Sequence, residues 1–404
     1  MCTSSVSYRF LKNRHFKEFC RKLDVNYEVL TPDSLRKKFV EKSNTYVTKV
    51  KEELKNVQRV WITVDGWDAK HMEKSLYAVF IYCFVNEERK SFFLGIEPID
   101  GPANSANVGK VVMELLHKYE IDSSKVIGKM TDGGSNITSF LEKNALYHTH
   151  CTAHVLSLII KKTTAIPHIN PLLTKINKFA AFLSRSKFER VKFRERSEML
   201  GISGRLPLPF CETRWGGSLL LANSFLNHYQ SLSVTPALQE FLMNSDDLNT
   251  ITKYVDTMKP FVEALNQSES DNSFSSEILI QFSHLNSYAS NLNQRSALGK
   301  CLASETSSRY ESYLNNESLL ITSYVDPRFA YLPGVLMRTR WDYIEESVQN
   351  YSDSFVIVGA HADQPPIKKP ALAETSFAKF IKSKSTSANE NGVLVFLAEY
   401  WFTK

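Results

Sequence analysis

Two aspartates stand where an ion-holding carboxylate would be placed. Asp65 closes the apolar run Val60-Trp61-Ile62-Thr63-Val64, Asp132 follows the run from Val126 through Met130 and Thr131, and each is followed by glycine. A charge at the rim of an otherwise buried strand is costly unless it has a use, and such groups cluster at functional sites. Gly66 lets the backbone turn or lie close to a neighbour, and Trp67 is placed to close over the strand end. The plainer role for either aspartate is to cap a turn or the next helix. A second cluster, His148, His150, Cys151 and His154, is rich in metal-binding types but lacks the spacing and the second ligand pair of a four-ligand zinc site, so no structural zinc is expected. A third group is basic: between Pro171 and Leu200 there are eight Lys or Arg, among them Lys187, Arg190, Lys192 and Arg194, against three Glu. Such a segment is either a solvated helix face or an attractive surface for a polyanion. Finally, Arg214-Trp215 pairs a guanidinium suited to phosphate with an indole that could stack on a base or simply fill a core.

The elements that must position these residues are legible in outline. Phe10, Phe16, Phe19 and Leu23 fall at helical spacings, and Thr31-Pro32-Asp33 reads as a helix start whose apolar face continues through Leu35, Phe39, Tyr46, Val50, Leu54 and Val57. Strands are predicted over residues 58–65, 76–85 and 91–96 as an antiparallel meander with a polar turn at 86–89. Val108, Val111, Val112, Leu115 and Leu116 mark a helix ending near Tyr119. A strand at 126–130, a brief helix to Lys143 and a strand around 147–152 follow. That order is the order of a ribonuclease-H-like α/β sheet, in which the first and fourth strands are neighbours, about 4.8 Å apart. Asp65 and Asp132 could then reach one metal ion. From Val155 onward the pattern is helical, with a polar break over 267–276 and a turn at Asp326-Pro327 expected to open a helix. The Pro- and Ser-rich stretch 360–391 reads as a linker ahead of the apolar run 393–402.

Composition frames these readings. Hydrophobic residues make up 43% and charged residues 23%, with a net charge of +6, as in an ordinary globular protein. Six scattered cysteines without framework spacing suggest a reducing compartment. No apolar leader follows Met1, and the longest apolar run, at 76–85, falls well short of the ~20 residues of a membrane helix.

The motifs, in order, resemble those of the hAT transposases and the host proteins derived from them, including BED-finger proteins. The matching strings are Val64-Asp65-Gly66-Trp67, Thr131-Asp132-Gly133-Gly134-Ser135-Asn136, Cys151-Thr152-Ala153-His154-Val155-Leu156-Ser157-Leu158, Thr213-Arg214-Trp215 and Val325-Asp326-Pro327-Arg328-Phe329. The resemblance covers roughly residues 8 to 335. It implies a ribonuclease-H-like mixed sheet interrupted by a large all-α insertion. It divides the chain into an N-terminal helical region (1–56), a five-stranded core (57–154), a helical insertion (155–350) and a linker with a truncated tail (351–404). In active relatives two aspartates and a distant glutamate hold divalent ions for DNA cleavage and strand transfer. Here Asp65 and Asp132 match, whereas the Ser-Glu-Arg-x-Phe string that carries the glutamate does not occur after Phe329. Glu399 has no matching surroundings, and neither an N-terminal BED zinc finger nor the C-terminal dimerisation segment is recognisable.

The resemblance further implies that Cys151 and His154 shape the edge of the site and approach DNA, and that Arg214 and Trp215 contact phosphate and an unpaired base. The charge excess of the basic segment itself assigns Lys187, Arg190, Lys192 and Arg194 to phosphate contact. The expectation is a nuclear, transposase-derived DNA-binding protein with weak Mg²⁺ binding at most and incomplete cleavage chemistry. Its partners would be DNA and possible self-association or association with related hAT proteins, without membrane insertion. A piece of an active transposase and a protein-interaction scaffold that binds no nucleic acid are the alternatives.

Overall fold

The computed structural model describes residues 8–69, 74–86, 88–134, 147–210, 216–270, 273–353, 377, 379 and 380. The chain divides into two compact units, residues 1–146 and 147–404. The first unit opens with helices α1 (Arg14–Leu23) and α2 (Pro32–Leu54). Asn13 caps α1 by accepting from the Phe16 amide at 3.0 Å, and Thr31 caps α2 by accepting from the Ser34 amide at 3.1 Å. The expected apolar faces are only partly used. α1 buries no residue and leaves Phe19 57% and Leu23 73% exposed. α2 buries only Val50 and Leu54, because it meets the sheet's core with its last turns alone.

Three strands follow, β1 (Val60–Ala69), β2 (Lys74–Val85) and β3 (Glu88–Ile99), then α3 (Ser105–Lys118) and β4 (Val126–Thr131). The four strands form a mixed sheet in the order β3-β2-β1-β4, and β5 (Tyr147–His150) opens the second unit. β1 is antiparallel to β2 and parallel to β4, so the two aspartate-bearing strands are neighbours as the element order predicts. Ile62, Val64, Val79, Ile81 and Leu94 pack with Val108, Val112, Leu115 and Leu116 of α3 in one core. Alternate residues of each strand supply that face, which is the period-two rule.

The strands run longer than the apolar runs suggest. β1 does not stop at Asp65: its rungs with β2 continue through Asp65↔Ala78 to Ala69↔Lys74. Backbone pairing is indifferent to side-chain polarity, so the hairpin zips past the charged residue. β3 likewise starts at Glu88, since Val85↔Glu88 is a rung, and Asn86 takes a left-handed φ of 51° that tightens the turn. The helix expected before Lys143 and the run 393–402 lie outside the described residues. Of the stretch 360–391, residues 377, 379 and 380 are described, and there the linker reading fails, because Phe377 is buried in the helical core and Phe380 packs on it beside His284, 4.8 Å between ring centroids.

The second unit is helical after β5: α4 (Thr152–Thr164), α5 (Asn170–Arg185), α6 (Lys187–Met199), α7 (Gly217–Asn227), α8 (Tyr229–Ser233), α9 (Ser245–Ser268), α10 (Ser275–Leu292), α11 (Ala297–Leu314), α12 (Glu317–Val325) and α13 (Arg338–Asp353). Leu156, Ile176, Phe179, Phe225, Phe261, Phe282 and Trp341 belong to one continuous core. The turn at Asp326-Pro327 does not open a helix. Asp326 Oδ1 accepts the Arg328 amide at 3.0 Å, and Tyr331 (φ 55°) and Gly334 (φ 74°) take left-handed conformations that a right-handed helix excludes. The segment serves instead as a charged clasp. Arg328 donates to Asp326 at 2.7 Å and to Glu277 of α10 at 3.1 Å, and Ser276 donates to Asp326 at 2.7 Å. Gln267 of α9 donates to the other Glu277 oxygen at 3.0 Å, and the guanidinium lies 4.7 Å from the Phe329 ring centroid.

Candidate functional site

In the first unit the strand register brings the two aspartates to adjacent positions. The parallel rungs run Ile62↔Lys129, Thr63↔Met130 and Val64↔Thr131, and the next residues of the two strands are Asp65 and Asp132. β4 ends there while β1 continues against β2, so the pair sits at a step in the sheet. Asp65 is exposed and Asp132 half-buried. Asp132 also makes the turn that is its plainer role: Oδ1 accepts the Gly134 amide at 3.0 Å, and Gly133 has φ 89°. One of its oxygens is therefore partly committed.

Tyr77 is a residue that the sequence motifs do not single out. It pairs with Gly66, and a Cβ on Gly66 would overlap its ring, so the phenol lies across the backbone just past Asp65. Burial raises the Tyr77 hydroxyl pKa, and the charges of Asp132 and then Asp68 raise it further, which places the phenol beside the end of β4. Gly66 is the signal that could have found it, because a glycine inside a strand marks a close approach. Asp68 is held by the Ser75 hydroxyl, which donates at 2.7 Å.

Among the described residues no group of three or more His, Cys, Asp or Glu could hold a metal ion. Among the described residues the donor set at the step is two carboxylates, one of them shared with a turn amide, which suits one largely hydrated Mg²⁺.

In the second unit Cys151 is the N-cap residue of α4 and makes no side-chain capping bond; His154 stands in the first helical turn. Both are half-buried, and their spacing puts them on one side of the helix. The preceding strand is fastened locally. Asn316 donates to the His148 carbonyl at 2.7 Å, Thr149 and Ser318 hydroxyls are 3.3 Å apart, and the His148 and His150 rings meet edge-on at 4.8 Å. Arg214 and Trp215 lie outside the described residues.

The basic segment resolves into parts with different jobs. Lys175 is structural, donating to the Leu242 carbonyl at 2.6 Å. Most of the rest stand on α6, which Ser186 caps and which is anchored by buried Phe193 against Phe179 (5.5 Å between centroids) and by the Ser197 and Ser231 hydroxyls, 2.9 Å apart. Lys187, Lys192 and Arg194 are exposed and Arg190 is half-buried. None of the four is ion-paired with a described residue, although Glu189, Glu195 and Glu198 share the helix. α6 thus presents five basic residues against three acidic ones, with the four named cations outside any ion pair among the described residues.

Residues 149–241, which contain Cys151, His154 and all of α6, match the family model described as the ZBED1 RNase-like helical domain. A stretch of 211 residues is 20% identical to "Putative transcriptional regulator tpeD" of Talaromyces stipitatus, taking in 42% of this chain and 24% of that protein. No helix among the described residues is long and apolar enough to cross a membrane.

Proposed function

We propose that this chain is a transposase-derived, hAT-like protein that binds nucleic acid in the nucleus, in a transcription-related role, and does not carry complete cleavage chemistry. The observation that carries the reading is the set of cations on α6 without an ion pair among the described residues, inside the segment that matches the helical-domain family. They favour a polyanion by releasing its counterions. The name of the Talaromyces relative supports the transcriptional setting. The test is binding to duplex DNA across a salt series: affinity should fall steeply with salt. Salt-independent or absent binding would favour a protein-interaction scaffold.

The sheet of the first unit, with β1 beside β4 and an aspartate at each strand's step, supports descent from a ribonuclease-H-like nuclease. A Mg²⁺ ion there would be held by Asp65 and the freer oxygen of Asp132, and when bound it would supply an activated water. In-line displacement needs the leaving oxygen stabilised as well, and two carboxylates do not fix a second ion. We therefore expect no nicking of a hairpin or nicked duplex with Mg²⁺ or Mn²⁺. Nicking that vanishes in Asp65→Asn would instead support the reading as a piece of an active transposase, with Glu399 the first acid to mutate.

A further inference from the structure

We infer that α6 is a single-strand platform, in which Phe188 stacks on an unpaired nucleobase while an adjacent row of cations takes the flanking phosphates. This rests on the nucleic-acid reading above and names the form of nucleic acid that α6 selects. Helical spacing sorts the exposed side of α6 into two neighbouring rows. Lys187, Arg190 and Arg194, at i, i+3 and i+7, form a cationic row whose members are about 4.5 and 6 Å apart along the axis. One residue over, Phe188 and Val191 form an apolar row that Glu195 interrupts before exposed Met199. Phe188 is 65% exposed and Val191 is also exposed, whereas Phe193 and Ser197 of the same helix are buried. The apolar row is therefore on the side away from the core. On its far flank Lys192 holds its ammonium over one face of the Phe188 ring, 3.9 Å from the centroid, which orients the ring, adds a fourth cation and leaves the opposite face for a base.

Charge complementarity names a polyanion, and the aromatic ring narrows the choice. An acidic amphipathic helix would need a groove, and α6 presents a single convex helix whose exposed apolar side chains, Phe188, Val191 and Met199, are split by Glu195, too little for such a partner. A nucleobase needs only one ring face, and every base has one. In a duplex the bases are stacked on each other and Phe188 has nothing to meet, so the ring should matter for single strands alone. The acid at Glu195 limits the footprint to one or two bases.

The test uses the full chain with short oligo(dU) and oligo(rU) carrying one 2-aminopurine, a duplex of equal phosphate count, and a poly-glutamate peptide. Phe188→Ala should weaken single-strand binding roughly ten-fold and abolish the 2-aminopurine signal, with duplex affinity and salt slope unchanged; Phe188→Tyr should retain both. Tighter binding of one oligomer than the other would show which sugar is preferred, with the stacking effect of Phe188→Ala required in whichever binds. Equal losses on duplex and single strand, or an equal loss on poly-glutamate, would overturn the inference, since stacking would not be the cause. Salt-dependent duplex binding with no effect of Phe188→Ala on oligomers would overturn it and leave the broader reading standing. No binding of any nucleic acid by the unsubstituted chain would overturn both. Thermal melting of each variant checks folding, which an exposed residue should leave unchanged.

Discussion

Two sets of arginines in the helical unit differ in what surrounds them. Arg328 is enclosed by two carboxylates, Asp326 and Glu277, and by aromatic rings, in a clasp that also draws in Gln267 and Ser276. Arg190 and Arg194 on α6 stand at the surface with carboxylates on the same helix and no ion pair among the described residues. The same side chain thus has a structural use in one place and an unspent charge in the other. Pairing, and not residue type or local charge density, tells which is which.

The sharpest way to separate the two is to remove each. Arg328→Ala strands Asp326 and Glu277 as half-desolvated acids, and we expect a loss of about 3 kcal/mol in urea unfolding. Nucleic-acid affinity measured well below the transition should be unchanged. The converse variant, with Lys187, Arg190, Lys192 and Arg194 all changed to Ala, should leave stability within about 0.5 kcal/mol. It should weaken duplex binding roughly ten- to a hundred-fold, and flatten the salt slope by about 0.9 for each phosphate that is no longer neutralised. An unchanged slope would assign α6 to solvation and erase the contrast. Lys175→Ala is the internal control. Its ammonium is spent on the Leu242 carbonyl, so the slope should stay the same.

A smaller effect is read by pH. Burial alone would raise the Asp326 pKa, but the hydrogen bonds from Arg328 and Ser276 outweigh it and hold the carboxyl below its ordinary range. A depressed acid contributes stability that is complete above its unfolded value, about 3.9, and is lost as pH falls through its folded value. The unfolding free energy should therefore decline as pH is lowered below about 4, and Asp326→Asn should reduce that slope. A slope identical to that of the unsubstituted chain would show that other acids carry it.

Much of this is legible in the sequence. The change from alternating to helical period places β1 beside β4, and the aspartate–glycine pairs mark where both strands meet the step. Hydrophobic pattern fails where pairing ignores it, as in the extension of β1 from Asp65 to Ala69. Asp326 and Arg328 are visible as a motif, but Glu277 lies 51 residues from Arg328, and no local spacing could pair them. Likewise α1 has the spacing of a core helix yet buries none of its residues, so its pattern misleads about burial. Spacing reports what an element could bury, while the partner that decides is elsewhere in the chain.

The step at Asp65 has a further consequence, in the exchange of amide hydrogens. Up to Val64 the backbone of β1 is served on both sides, by β2 and by β4. From Asp65 to Ala69 β2 remains and β4 has ended, so successive amides point alternately toward β2 and toward the side that β4 no longer pairs. Protection from deuterium should pass from uniform to every second residue at Asp65. That change of rhythm locates the end of the parallel pair without any ligand, ion or nucleic acid, and a divalent ion bound at the step should slow the fast-exchanging members of the series first.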